Sequence, residues 1–254
     1  EERARGVITY SSGNHAQAVA LTANLYGIKA VVIVPTDAPF VKVAAAEAYG
    51  ATLIPYDRMV ADRETVAAEY IREHGYTLIP PYNHEEVVAG QGTAAKEMIE
   101  DVGGLDIVLA PCGGGGLLSG TAISSKSLLP QCRVIGVEPE LADDATRSFK
   151  SGVIHSVSNP MTIADGLRTP SLGSVTFPLV RKYVDDMVTV SEQEIVTAMH
   201  FVWTRMKLVI EPSGAVALAP LISGKINVSG KRIGIIISGG NADMQQVASL
   251  FAQM

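Results

Sequence analysis

Three glycine-containing polar turns and one acidic cluster hold the side chains whose types and spacing could do chemistry. The first turn reads Ser11-Ser12-Gly13-Asn14-His15. Small hydroxyl and amide groups where a helix begins make an anion site suited to a carboxylate; plain capping of that helix by Ser12 or Asn14 would use the same residues. The second turn is Gly113-Gly114-Gly115-Gly116. Glycine accepts positive φ, so successive N–H groups can converge on one phosphate. Four glycines in place of alanines cost roughly 2–4 kcal/mol through unfolded-state entropy, which a mere turn does not require. The third is Ser238-Gly239-Gly240-Asn241. Its hydroxyl could bond a heteroaromatic nitrogen and its glycines admit a flat ring, or it is a glycine-rich turn into a helix. The cluster from Glu138 to Asp144 offers two carboxylates with a carbonyl between them, hard ligands for Mg²⁺ or Ca²⁺. Acidic residues decorating a helix N-terminus are the plainer alternative.

Other chemistries lack their residues. Glu138 follows the glycine run where a dinucleotide fold puts its ribose-binding acid, yet no G-x-G-x-x-G aligns, because Leu118 or Ser119 fills the third position. No G-x-x-x-x-G-K-[ST], G-x-S-x-G or H-E-x-x-H occurs, and His74, His84, His155 and His200 read as structural or surface residues. Cys112 and Cys132 form no C-x-x-C, so neither a zinc site nor a disulfide framework is expected, and a reducing, cytoplasmic setting is. The 254 residues are 47% apolar with net charge −6, which excludes a disordered chain and argues against nonspecific nucleic-acid binding. No apolar run approaches the roughly 18 residues of a membrane span, and no signal peptide is visible.

The elements that must position these turns alternate. Residues 7–10, 30–34, 51–56, 77–79, 107–110, 134–137 and 232–237 read as strands. Helical patterns fall at 14–26, 39–49, 62–74, 92–102, 117–129 and 141–150, and Ser191 with Glu194 forms a capping box for a helix to about residue 206. A terminal helix follows Asn241. Continuous apolar strands alternating with helices predict an α/β fold with mostly parallel sheets. Pro80-Pro81-Tyr82-Asn83 breaks the rhythm, so a small domain over 1–83 and a large one over 84–254 are expected. Each of the three turns then falls at a strand's carboxyl end, where open α/β sheets bind ligands.

Together the turns carry a resemblance. S-S-G-N-H-A-Q, G-Q-G-T, G-G-G-G-L, E-P-x-x-A-D-D, E-P-S-G and S-G-G-N stand in the same order as in the serine racemase and serine/threonine dehydratase family, from Gly6 onward. That family comprises fold-type II pyridoxal 5′-phosphate enzymes, tryptophan synthase β-like in fold. The resemblance implies that Asn14 bonds the cofactor's ring hydroxyl, that Gly113 to Gly116 with Leu117 hold its phosphate, and that Ser238 faces its pyridine nitrogen. It implies a substrate site at Ser11, Ser12, Asn14, His15 and Arg63, with Ser12 as the acid/base that racemisation needs opposite the cofactor lysine. It further implies a divalent cation (Mg²⁺, Ca²⁺ or Mn²⁺) on Glu138, the Ala142 carbonyl and Asp144. Gln17, Tyr49, Lys207 and Asn241 match positions of an ATP effector site at a homodimer interface. The implied activity is serine racemisation with α,β-elimination of serine to pyruvate and ammonia. Threonine dehydration and a noncatalytic ligand-binding relative are the alternatives.

One departure stands against this pattern. The family's Schiff-base lysine precedes the serine turn in a motif resembling S-F-K-x-R-G, whereas residues 1–10 contain no lysine. Ser148-Phe149-Lys150 imitates that motif after the acidic cluster, where Lys150 reads as a surface helix residue. The expectation is a chain lacking the N-terminal segment of its family, and inactive without it.

Overall fold

The computed structural model describes residues 2–11, 13–38 and 40–254. The chain divides into two compact units, Glu1–Pro81 and Tyr82–Met254. In the first unit the order is α1 (Glu2–Arg5), β1 (Val7–Tyr10), α2 (Asn14–Leu25), β2 (Ala30–Pro35), α3 (Phe40–Ala48), β3 (Thr52–Tyr56), α4 (Arg63–His74) and β4 (Thr77–Leu78). Its sheet runs β3-β2-β1-β4 with every pair parallel, Ile8 lying beside Val31 and Leu78. All six residues of β2 are buried, as a strand covered on both faces requires. Local signals set the helix ends. Asp62 caps α4 by accepting from the N–H groups of Glu64 and Thr65, and Gly75 ends it in the left-handed conformation.

The second unit contains α5 (Glu85–Val102), β5 (Ile107–Pro111), α6 (Gly116–Leu128), β6 (Arg133–Pro139), α7 (Asp144–Ser151), α8 (Thr176–Tyr183), β7 (Asp186–Val190) and α9 (Glu192–Phe201). It closes with α10 (Pro212–Ala215), α11 (Ala219–Ile222), β8 (Ile233–Ile235) and α12 (Met244–Phe251). The sheet is again wholly parallel, ordered β7-β6-β5-β8. Ile107, Leu109, Ile135 and Val137 from its inner strands pack with Ile195, Met199 and Val202 in a core on one face. The other face buries Ala110, Val134, Leu118 and Met187.

Several elements differ from their sequence patterns. Helix α5 begins at Glu85, seven residues before the expected start, and runs through Gly90 and Gly92. Gly92 is not a helix end; it faces Gly120 of α6, and a Cβ on Gly92 would lie 2.9 Å from the Gly120 carbonyl. The Ser124 hydroxyl donates to the Gly92 carbonyl at 2.8 Å across the same crossing. The expected helix over 141–150 splits into a 3₁₀ turn, Glu140–Ala142, and α7. Helix α8 and strand β7 had no periodic signal: Pro178 interrupts the first, and the second is a half-buried edge. Strand β8 keeps only three of the six residues expected for it.

Candidate functional site

In the first unit the serine turn stands at the carboxyl end of β1, an inner strand. Ser12 lies outside the described residues. Gly13 occupies the capping position of α2 and Asn14 the first helical position, with no acidic side chain in the first turn. The Gly13 N–H donates to Ser11 Oγ at 3.3 Å. The helix N-terminus therefore keeps its positive field beside Ser11. His15 donates through Nε2 to the Ile79 carbonyl at 3.0 Å, since a carbonyl can only accept, leaving Nδ1 without the proton. Burial lowers the His15 pKa, partly opposed by that hydrogen bond. Arg63, first residue of α4, sets its guanidinium 5.0 Å from the ring centroid of Tyr10, the last residue of β1, and so brings a cation next to the turn. Lys42 was not expected there. It is 4% exposed, and its Nζ lies 3.9 Å from where a Cβ on Gly13 would be. The sequence of α3 carries no sign of this, because lysine ordinarily reads as a solvated residue.

In the second unit the other three motifs share one edge of one sheet. Gly113 to Gly116 follow β5, Glu138 is the penultimate residue of β6, and Ser238 follows β8, and these strands are immediate neighbours in the order β6-β5-β8. Gly115 caps α6 at φ +88°, and among the described residues no side chain caps the helix's first N–H groups, Leu117 standing in that first turn. Thr169 Oγ1 is buried without a hydrogen-bond partner among the described residues and lies 3.2 Å from a Cβ placed on Gly113. A glycine cradle, an uncapped helix of 13 residues and an orphan hydroxyl together suit a phosphate monoester. Ser238 is half-buried. Its turn is braced from behind by the E-P-S-G stretch, where the Glu211 N–H donates to the Gly239 carbonyl at 3.1 Å. Glu211 itself is 1% exposed, a buried carboxylate for which the sequence reading had no role.

Glu138 is spoken for by the start of α7. Its Oε1 accepts from the Ala145 N–H at 3.1 Å, and its Oε2 from the Thr146 N–H at 2.6 Å and hydroxyl at 2.7 Å. Asp144 is buried with Oδ2 unpartnered among the described residues, and Ala142, two residues before it, is buried as well. Burial pushes Glu138 up to about 8, against the hydrogen bonds from Thr146, and Asp144 up to about 7. Two carboxylates held near their titration points, one with an orphan oxygen, suit a divalent cation that would replace their protons. Among the described residues no three His, Cys, Asp or Glu side chains gather as a metal cluster, so such a cation would need carbonyl oxygen or water as well.

The remaining expected positions are scattered. Gln17 is buried in α2 with Nε2 unpartnered among the described residues, and Tyr49 follows α3 in the same unit. Lys207, at φ +59°, and Asn241 belong to the second unit. Lys150 is exposed in the last turn of α7. No described helix is long and apolar enough to cross a membrane.

Comparison with known proteins gives concordant matches. A family model described as pyridoxal-phosphate dependent enzyme matches residues 1–239. An L-threo-3-hydroxyaspartate ammonia-lyase of Saccharomyces cerevisiae is 51% identical over 252 residues, covering 99% of this chain and 77% of that protein. A serine racemase of Schizosaccharomyces pombe is 49% identical over 252 residues, covering 99% and 78%. Among solved structures, maize serine racemase superposes with a TM-score of 0.92 at 40% identity, covering 99% of this chain and 78% of the other. Serine racemase from Dictyostelium discoideum gives 0.89 at 45%, covering 96% and 78%.

Proposed function

The chain belongs to the pyridoxal-phosphate dependent enzyme family, and we propose that it is an amino-acid racemase and ammonia-lyase acting on small β-hydroxy amino acids, serine foremost. The observation that carries this is the grouping of a glycine cradle, a neutral hydroxyl and two buried carboxylates at the carboxyl ends of β5, β8 and β6. Bound pyridoxal 5′-phosphate supplies an electron sink that acidifies the Cα–H of an amino acid. The N–H groups of Gly113 to Gly116 and Leu117 hold the phosphate, and Asn14 the ring hydroxyl. Ser238 offers the pyridine nitrogen a neutral hydroxyl rather than a carboxylate, which keeps the sink weak and favours loss of a β-hydroxyl. Ser11, Asn14 and His15 orient the substrate carboxylate at the uncapped start of α2, with Arg63 beside them. Ser12 delivers or removes the proton on one face of Cα, the step that separates racemisation from elimination alone.

Glu138, the Ala142 carbonyl and Asp144 hold a divalent cation (Mg²⁺, Ca²⁺ or Mn²⁺) that neutralises two buried carboxylates. ATP at Gln17, Tyr49, Lys207 and Asn241, a homodimer and a cytoplasmic setting complete the proposal. A second reading, L-threo-3-hydroxyaspartate as substrate, is favoured by relatives of that name at 51% and 50% identity. Arg63 would then meet the extra carboxylate. Threonine is the third candidate, supported by a threonine deaminase structure at 45% identity and TM-score 0.88.

Activity is measured on the natural gene product supplied with pyridoxal 5′-phosphate. D-Serine and pyruvate from L-serine support the first reading. Oxaloacetate from hydroxyaspartate in excess of both moves the assignment to the second, and 2-oxobutyrate from threonine to the third. Failure of that product to bind pyridoxal 5′-phosphate overturns all three.

A further inference from the structure

We propose that Thr176 and Tyr82, neither of them in the glycine run, are the positioning residues that aim its N–H groups, so that selectivity for a phosphate ester depends on these two side chains. The proposal rests on the reading of residues 113–116 as a phosphate site. Thr176, the first residue of α8, is 0% exposed. Its hydroxyl donates to the Gly114 carbonyl at 2.7 Å and accepts from the Gly173 N–H at 2.9 Å, so one oxygen uses its proton and a lone pair at once. The carbonyl of Gly114 and the N–H of Gly115 belong to one trans peptide and point in opposite directions. Drawing that carbonyl toward Thr176 turns the Gly115 N–H the other way, out of the buried side of the loop. Gly115 then enters α6 at φ +88°.

Tyr82 fixes the same peptide from another side. A Cβ on Gly114 would collide with the Tyr82 ring, and one on Gly116 would lie 3.0 Å from the Tyr82 Cβ. The ring therefore fills the space in which the loop would otherwise fold back. Next to it, Asn83 accepts from the Val175 N–H at 2.8 Å through Oδ1 and donates to Ser174 Oγ at 3.2 Å through Nδ2. The turn that carries Thr176 is thus tied to the segment that carries Tyr82. Loop, turn and segment form one closed brace built from three distant stretches of chain.

The test compares pyridoxal 5′-phosphate with pyridoxal, which lacks the phosphate, by equilibrium binding to the full chain and its variants. Thr176→Val and Tyr82→Ala should each weaken pyridoxal 5′-phosphate binding about tenfold, the loss of one well-formed donor, and leave pyridoxal binding within about twofold. Thr176→Ser and Tyr82→Phe should restore the wild-type ratio, because hydroxyl and ring are retained. A purely structural role would weaken both ligands alike and would not be rescued selectively. An unchanged ratio in Thr176→Val, with wild type preferring the ester, overturns the proposal. A wild type with no preference for the ester overturns the phosphate reading instead. If the valine and alanine variants do not fold, amide exchange of the wild-type chain with inorganic phosphate decides. Phosphate that slows exchange at Gly115 together with Gly116 and Leu117 supports the brace, and slowing at those two with Gly115 unchanged overturns it.

Discussion

The imidazole of His15 is hydrogen-bonded through Nε2 to the main-chain carbonyl of Ile79, 64 residues away in sequence, at 3.0 Å. The contact fastens the first turn of α2 to the chain just beyond β4, and so fixes the start of the helix that carries Asn14. It also sets the ring's tautomer, with the proton on Nε2.

A pH dependence follows from the lowered His15 pKa, whose main cause is burial. Between that lowered value and the usual 6.5 the unfolded chain binds the proton and the folded chain does not. Stability contributed here is thus complete above about pH 6.5 and falls as the pH drops toward the folded value. Chemical denaturation from pH 5 to 8 should show a shallower acid-side loss in His15→Gln than in wild type. Equal slopes would remove His15 from the account.

Gly120 and Gly90 offer a contrast on one helix pair. A Cβ on Gly120 would lie 2.5 Å from the Gly92 nitrogen, whereas nothing lies within 4 Å of one on Gly90. Gly120→Ala should destabilise by about 1–3 kcal/mol through overpacking and loosen the start of α6. Gly90→Ala should stabilise by roughly 0.5–1 kcal/mol, the helix-interior gain of alanine over glycine. Thermal melts of the two variants check both signs.

On the proposed reading Asp144 is one of the residues that hold a divalent cation. Mn²⁺, Mg²⁺ or Ca²⁺ should raise the melting temperature of the wild-type chain, and a chelator should reverse it. Asp144→Asn should lose that response while melting close to the cation-free wild type, because a carboxyl pushed up to about 7 is already half protonated near neutrality. A cation response that survives in Asp144→Asn would place the ion elsewhere.

On the proposed reading Ser12 should divide racemisation from elimination in the natural gene product. Ser12→Ala is expected to lower D-serine formation from L-serine at least about tenfold more than pyruvate formation, since only reprotonation on the opposite face needs that hydroxyl. Chiral chromatography with a pyruvate assay gives both rates from one reaction. Parallel losses would mean that Ser12 serves binding, not proton transfer.

Much of the fold was legible because its signals are local. Asp62, Ser191 and the glycine at position 75 mark helix ends through contacts within four residues, and those ends fall where the sequence suggests. The Gly90 to Thr93 stretch misled for the opposite reason. Its glycines look like a helix boundary when only neighbours in sequence are counted, and become a close helix crossing once Gly120 is opposite.

The candidate site divides along the same line. Residue types at residues 11–15, 113–116, 138–144 and 238–241 were determined by the sequence alone, because anion, ring and cation chemistry depend on which groups stand side by side in the chain. That β6, β5 and β8 are neighbours, so that three of these stretches meet at one sheet edge, was decided by tertiary structure. So were the buried Lys42 against Gly13 and the Thr176 hydroxyl on Gly114, 62 residues apart. Strand order and such contacts come from burying whole faces of the sheet at once, a free energy summed over residues far apart, which no short stretch of sequence displays.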